Sequence, residues 1–265
     1  MKDATAELEP ETDSPETEPE DNTGKMSFLE HLDELRRRLV RIAIYVGIGL
    51  AASFYFSKDI YHFISRPLLT VLPQGTKLAY TNPTDPFTLY LKVSALAGIF
   101  LTIPFILYEV WKFIAPGLYR REKRYVFPFL FFSILLFLVG AAFCYTIVLP
   151  QAYGFLVRLG GDFTPVIKID EYLDLTNMML LGFGLIFEMP VLVAFLAIFG
   201  LVTPKFLISK FRYAILIIVA AAAALSPTGD AFNLMIWTAP MIVLYMVSIV
   251  VAAVFSWRRK VKGLD

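Results

Sequence analysis

The chain holds one cysteine and two histidines in 265 residues. Cys144 sits inside an apolar run, so no intrachain disulfide can form, and the residue is expected to pack against lipid or core. His31 and His62 fall on opposite sides of the first apolar run and cannot share a metal, so neither metal nor cofactor is expected. The phosphate-binding loop, the dinucleotide turn, the paired-cysteine redox motif and the zinc-protease helix are all absent. No apolar run offers a base beside an intramembrane nucleophile. The reading is therefore of a protein that is not an enzyme and has no nucleic-acid partner. The start is acidic and proline-rich, where a secretory signal is basic and then apolar, so no such signal is expected. Internal repeats are missing too, which counts against an inverted-repeat transporter.

Apolar residues are abundant: 57% of the side chains are hydrophobic and 15% aromatic, with a mean hydropathy of +0.65. That composition reads as an all-α, polytopic membrane protein. The net charge of +1 conceals an asymmetry, because residues 1–24 carry nine acids and one lysine while the remainder is strongly basic. Residues 1–25 are expected to be a disordered acidic cytoplasmic tail, 26–257 a six-span membrane domain, and 258–265 a basic cytoplasmic tail.

Ser27-Phe28-Leu29-Glu30 fits a capping box opening a short amphipathic helix at the membrane surface, with Phe28, Leu32, Leu35 and Leu39 as its apolar stripe. Its other face pairs Asp33 with Arg37 and Glu34 with Arg38. The first span is read over 39–56. An outer interval with a short helix and an extended cap follows, and Asp85-Pro86 reads as an N-cap and first turn of span two, which runs to about Ile114. Lys92 and Glu109, near its two ends, are placed where long side chains reach headgroups. Pro116-Gly117 ends that span before the run Arg120-Arg121-Glu122-Lys123-Arg124. Span three is read over 125–148, closed by Pro150, and span four over 173–199. Thr203-Pro204 caps a brief helix. Span five, over 213–225, is too short for a ~30 Å apolar core, so the bilayer thins there or Lys210 and Arg212 snorkel. Span six is read over 232–255. Basic residues split 18 to 6 in favour of one side, which puts both termini in the cytoplasm.

Three acids could carry function. Glu34 and Glu122 precede spans one and three at the same membrane surface. Each has an ordinary reading, as a helix-face acid and a loop counter-ion. Brought together, they would make a paired acceptor suited to forked guanidinium groups. Glu188, deep in span four, is either a helix-packing hydrogen-bond partner beside Pro190 or lines a hydrated, proton-sensitive recess. Asp230 resembles an ordinary helix N-cap. A proton-coupled small-molecule transporter built on Glu188 is the second reading, and a structural anchor the third.

His-Leu-Asp-Glu-Leu-Arg at 31–36, the run from Tyr108 to Arg124, Gly-Leu-Ile-Phe-Glu-Met-Pro at 184–190 and Val-Thr-Pro at 202–204 resemble the TatC family, the multispanning subunit of the twin-arginine protein translocase. The likeness covers about residues 26–257. It implies a concave, glove-like bundle of six transmembrane helices, N-in and C-in, with the last two short, in the bacterial inner (plasma) membrane. It further implies a receptor for paired-arginine signal peptides that exports folded proteins on the proton-motive force. Its partners would be single-span TatA-like and TatB-like subunits, the lipid bilayer and further copies of itself. By the same resemblance Glu34, Arg36, Phe113 and Glu122 form the signal-peptide site, Glu188 the buried intramembrane polar site, and Pro67 and Asp230 parts of the outer cap. The family's Pro-Pro-Asp outer turn is Pro227-Thr228-Gly229-Asp230 here, a departure that bears on Asp230.

Overall fold

The structure is a computed structural model that describes residues 28–73, 76, 78–114, 126–161, 163, 166–225 and 230–261. The acidic tail, Ser27 of the expected capping box, and Pro116 through Arg124 lie outside them. The described residues are helical, with no strand among them; one parallel bridge joins Ala79 to Lys168. The helices are α1 (Phe28–Phe54), α2 (Ser57–Leu69), α3 (Asp85–Ile114), α4 (Val126–Phe143), α5 (Leu149–Leu159), α6 (Ile169–Ile186), α7 (Met189–Ile198), α8 (Pro204–Ser209), α9 (Phe211–Leu225) and α10 (Ala231–Val261).

Among the described residues, four continuous helical stretches are long and apolar enough to cross a membrane: Asp85–Ile114, Phe127–Leu159, Ile169–Ile198 and Ala231–Trp257. α1 and α2 qualify only as a pair, bent by 91°. By length and composition this makes four spans, or five with the bent pair; α9 is a shorter apolar helix, and the expected count of six would need both α1 and α9 to cross. At 15 residues, α9 covers about 22 Å, well short of a ~30 Å core.

Three boundaries differ from the sequence reading. The amphipathic segment and the first span are one helix, α1, because no proline or glycine interrupts 28–46; only side-chain character changes near Leu39. Pro150 does not end the third span. The turn before it, Cys144–Val148, is a π-helix, and Pro150 falls in the first turn of the α-helix that follows it, where a missing donor is tolerated, so the helix runs on to Leu159. Asp85 is the first residue of α3 and not its cap. Its carboxylate turns back to accept from the backbone amides of Thr81 (2.9 Å) and Asn82 (2.8 Å), tying down the incoming chain. Thr203 does cap α8, accepting from the Phe206 amide.

Close helix crossings form where side chains are missing. A Cβ on Gly98 of α3 would fall 2.5 Å from the Leu50 nitrogen of α1, and one on Gly49 would fall 2.6 Å from the Gly98 oxygen. Gly140 and Gly184 do the same for α4 and α6: a Cβ on the first would meet the Phe183 oxygen at 2.6 Å, and on the second the Phe137 ring at 2.7 Å. In lipid, where apolar burial gives little drive between helices, such backbone approach supplies the packing. The core is built on Leu68, Val93, Cys144, Leu149, Leu173 and Phe183, with Trp237 of α10 against Phe183. Cys144 is thus a core residue and faces no lipid.

Gly98→Leu is expected to destabilise the purified protein by about 1–3 kcal/mol. Gly47→Leu, where a Cβ meets nothing within 4 Å, should leave the thermal unfolding midpoint in detergent unchanged.

Candidate functional site

Glu34, Arg38 and Arg41 recur at spacings of four and three, so they share one face of α1. That face meets α3 at Glu109. Arg38 donates to Glu109 Oε2 from Nη1 at 3.0 Å, and Arg41 Nη1 donates to Glu109 Oε1 at 3.1 Å. Each carboxylate oxygen therefore holds one arginine. Arg38 also grips Glu34: its Nε donates to Oε1 at 3.1 Å, and its Nη2 donates to the same oxygen. Arg38 is 6% exposed and Glu109 2%. Burial at that level makes the pairing obligatory, because an unpaired charge here would forfeit its hydration with no compensation. Glu34 Oε2 is also buried and has no hydrogen-bond partner among the described residues. The second pair expected from the sequence, Asp33 with Arg37 at 2.5 Å, is solvent-exposed and contributes little.

One turn before Glu34, the His31 ring stacks on Phe113 with centroids 4.3 Å apart and planes 16° from parallel. Phe113 lies one turn beyond Glu109 on α3. The structure thus brings Glu34 and Phe113 of the expected site onto one surface, at the end of the bundle where α1 begins. Arg36 is exposed, two residues from Glu34 and so on another side of the helix, with no ion pair among the described residues. Glu122 lies outside the described residues.

Glu109 was placed by sequence at a span end reaching for headgroups; it is instead buried in the ion-pair cluster, because two arginines converge on it from α1. Lys92, given the same role, binds Asp174 at 2.7 Å and lies 3.6 Å from Asp170, linking α3 to α6. Arg41, Glu109 and His31 are members of this surface that sequence reasoning did not place there; Arg38 it gave as the partner of Glu34, which the structure shows, but not as a partner of Glu109. The available signal was an acid inside a strongly apolar helix, at the same end as two arginines three residues apart.

Glu188 is 7% exposed and occupies the break between α6 and α7, which the sequence reading missed. Its carboxyl lies beside Ser133 of α4. The Ser133 hydroxyl in turn accepts from Trp111 Nε1 of α3 at 3.0 Å. Glu188 Oε1 has no hydrogen-bond partner among the described residues.

Pro67 and Asp230 are at the opposite end. Pro67 sits in the last turn of α2 and cannot donate to the Phe63 carbonyl; Tyr145 O–H donates to that oxygen instead, at 2.6 Å. Tyr172 O–H bonds the next carbonyl, Ile64, also at 2.6 Å. Asp230 caps α10, accepting from the Asn233 amide at 2.8 Å.

Residues 30–240 match the family model described as Sec-independent protein translocase protein (TatC). The chain belongs to the TatC family. It is similar to the Sec-independent protein translocase protein TatC of Koribacter versatilis, 48% identical over 230 residues, 86% of this chain and 85% of that one. TatC of Escherichia coli K12 is 36% identical over 223 residues, 84% and 86% of the two chains. A crystal structure of a twin-arginine translocase receptor TatC superposes with a TM-score of 0.76 at 36% identity, covering 86% of this chain and all of that one. A second TatC receptor structure, in the detergent DDM, gives a TM-score of 0.76 at 37% identity over 84% and 99%. This TatC-family chain is accordingly a multi-pass membrane component of a protein translocase and not a conventional enzyme.

Removing one partner of the buried cluster should be costly. Glu109→Leu takes from the buried Arg38 one of its two carboxylate partners and from Arg41 its Glu109 acceptor, and is expected to cost about 1–3 kcal/mol, whereas Arg38→Met with Glu109→Leu should recover part of the loss. Unfolding midpoints of the three proteins in one detergent measure this.

Proposed function

We propose that this chain is the signal-peptide receptor and scaffold of a twin-arginine translocase. The observation that carries the reading is the meeting of Glu34 and Phe113 on one surface, bounded by the buried Arg38–Glu109 pair. A peptide's two adjacent guanidinium groups are planar forks, and carboxylates are their natural acceptors. Glu34 supplies one carboxylate, and Glu122, amid the basic run Arg120–Arg124, supplies the second. Phe113 offers an aromatic face for the stems, and Arg36 stands at the exposed rim. Both termini lie in the cytoplasm and the chain spans the bacterial inner membrane six times. Pro67 and Asp230 then belong to the outer cap.

In this reading the chain converts no substrate. It holds the signal peptide while TatA-like and TatB-like single-span subunits, and further copies of the chain, assemble around it and the proton-motive force drives the folded cargo across. Glu188, an acid in mid-span with one oxygen unpartnered among the described residues, is the polar position within the bilayer that this assembly uses.

Binding of a synthetic signal peptide to the full chain in nanodiscs tests the reading. A paired-arginine peptide should bind, and a paired-lysine peptide should bind roughly tenfold or more weakly. Glu122→Ala should abolish binding; affinity equal to the unmodified chain would refute the site.

A further inference from the structure

The carboxylate assigned to the incoming arginine is already occupied. Arg38 places two donors, Nε and Nη2, on a single oxygen of Glu34 while its third contact, Nη1, goes to Glu109. Two arginines and two glutamates in this cluster neutralise one another, so a cationic ligand arriving at Glu34 meets a balanced site and not an open anion. It must compete with a guanidinium of the same geometry as its own.

Competition of this kind would ordinarily fail, because displacing a buried arginine strands its charge. Here it does not. Arg38 is shared, and Glu109 keeps hold of it through Oε2 when Glu34 lets go. Arg41 on Glu109 Oε1 is half-exposed and its charge is partly hydrated, so Glu109 can concentrate on Arg38. The Glu34 grip is also the less complete one: both donors crowd Oε1, and the buried Oε2 is left without a partner among the described residues. A buried carboxylate oxygen without a donor raises the energy of the resting arrangement relative to one in which a ligand's fork serves both oxygens.

We infer that Arg38 is a built-in competitor for the Glu34 carboxylate and that Glu109 is the counter-charge to which it retires when a ligand guanidinium arrives. The exchange makes Arg38 and Glu109 specificity-determining positioning residues, neither of which touches the peptide. A ligand must match a two-donor grip to displace Arg38. An ammonium group, a single compact charge without the planar fork, cannot do so on equal terms. The inference rests on the receptor reading above and deepens it: selectivity for arginine comes from what must be displaced as well as from what is offered.

The test uses the full chain in nanodiscs with paired-arginine and paired-lysine signal peptides. Glu109→Gln keeps the shape and an acceptor but removes the retreat charge, and should weaken paired-arginine binding by about tenfold or more. Arg38→Gln removes the competitor, and should tighten both peptides and lower the arginine-over-lysine ratio by about tenfold. Arg38→Lys keeps the charge without the fork and should move the ratio the same way, which also serves should the glutamine variant not fold. In Arg38→Gln with Glu109→Gln, with no competitor left to retire, affinity should match that of Arg38→Gln alone. A purely structural role would lower affinity for both peptides in proportion and leave their ratio unmoved. Paired-arginine binding by the unmodified chain, with an unchanged ratio in both Arg38 variants, overturns the exchange and leaves the receptor reading standing. Failure of the unmodified chain to bind the paired-arginine peptide overturns both.

Discussion

One buried carboxylate sets the geometry on which the rest depends. Glu109 is almost wholly withdrawn from solvent, and it is tolerable there only because two arginines from α1 saturate its two oxygens. The pairing fixes α1 against α3 at one end. The second fixing point is the backbone approach of Gly49 to Gly98. From Arg38 to Gly49 is 11 residues, and from Gly98 to Glu109 is 11 residues. On two antiparallel helices that is about 16 Å on each, close to three turns, so both contacts lie on the same face of each helix and agree in register. Charge pairing and close packing thus specify one arrangement, and His31 meets Phe113 as a consequence.

The opposite end is held by different means. There, chain irregularities are satisfied one by one: Tyr145 replaces the donor that Pro67 lacks, Asp85 gathers the amides of Thr81 and Asn82, Lys92 links α3 to α6, and Asp230 caps α10. The single bridge between Ala79 and Lys168 ties the extended cap to the start of α6. The acid pair here, Asp170 and Asp174, is met by the single ammonium of Lys92 and not by guanidinium forks. The two ends differ in chemistry as well as position.

Much of this was legible in the sequence, and the parts that were not have identifiable causes. Helical class and the apolar spans follow from composition and run length. The pairs Asp33–Arg37 and Glu34–Arg38 follow from helical spacing, and the Thr203 cap from its neighbouring proline. Glu109 was misplaced because its partners are 68 and 71 residues away, and no local pattern records such a contact. The continuity of α1 was hidden because amphipathic and apolar segments of one helix look like two elements when only side-chain character is read. Pro150 misled for a related reason: proline reports a missing donor, and whether that falls at a helix's end or in a first turn that tolerates it leaves no mark in the sequence. The glycines at 49, 98, 140 and 184 carried no sequence expectation, because which helices cross at them is a tertiary fact.

The account's central claim is that the arginine pair is received at the α1–α3 end of the bundle. The most direct measurement is site-specific photocrosslinking of a paired-arginine signal peptide, with the reactive group adjacent to the arginines, to the full chain in native membranes. The account predicts adducts mapping to α1 near Glu34 and to α3 near Phe113, suppressed by excess unlabelled paired-arginine peptide and spared by its paired-lysine counterpart. Adducts confined to the opposite end, around Lys92 or Asp230, would contradict it.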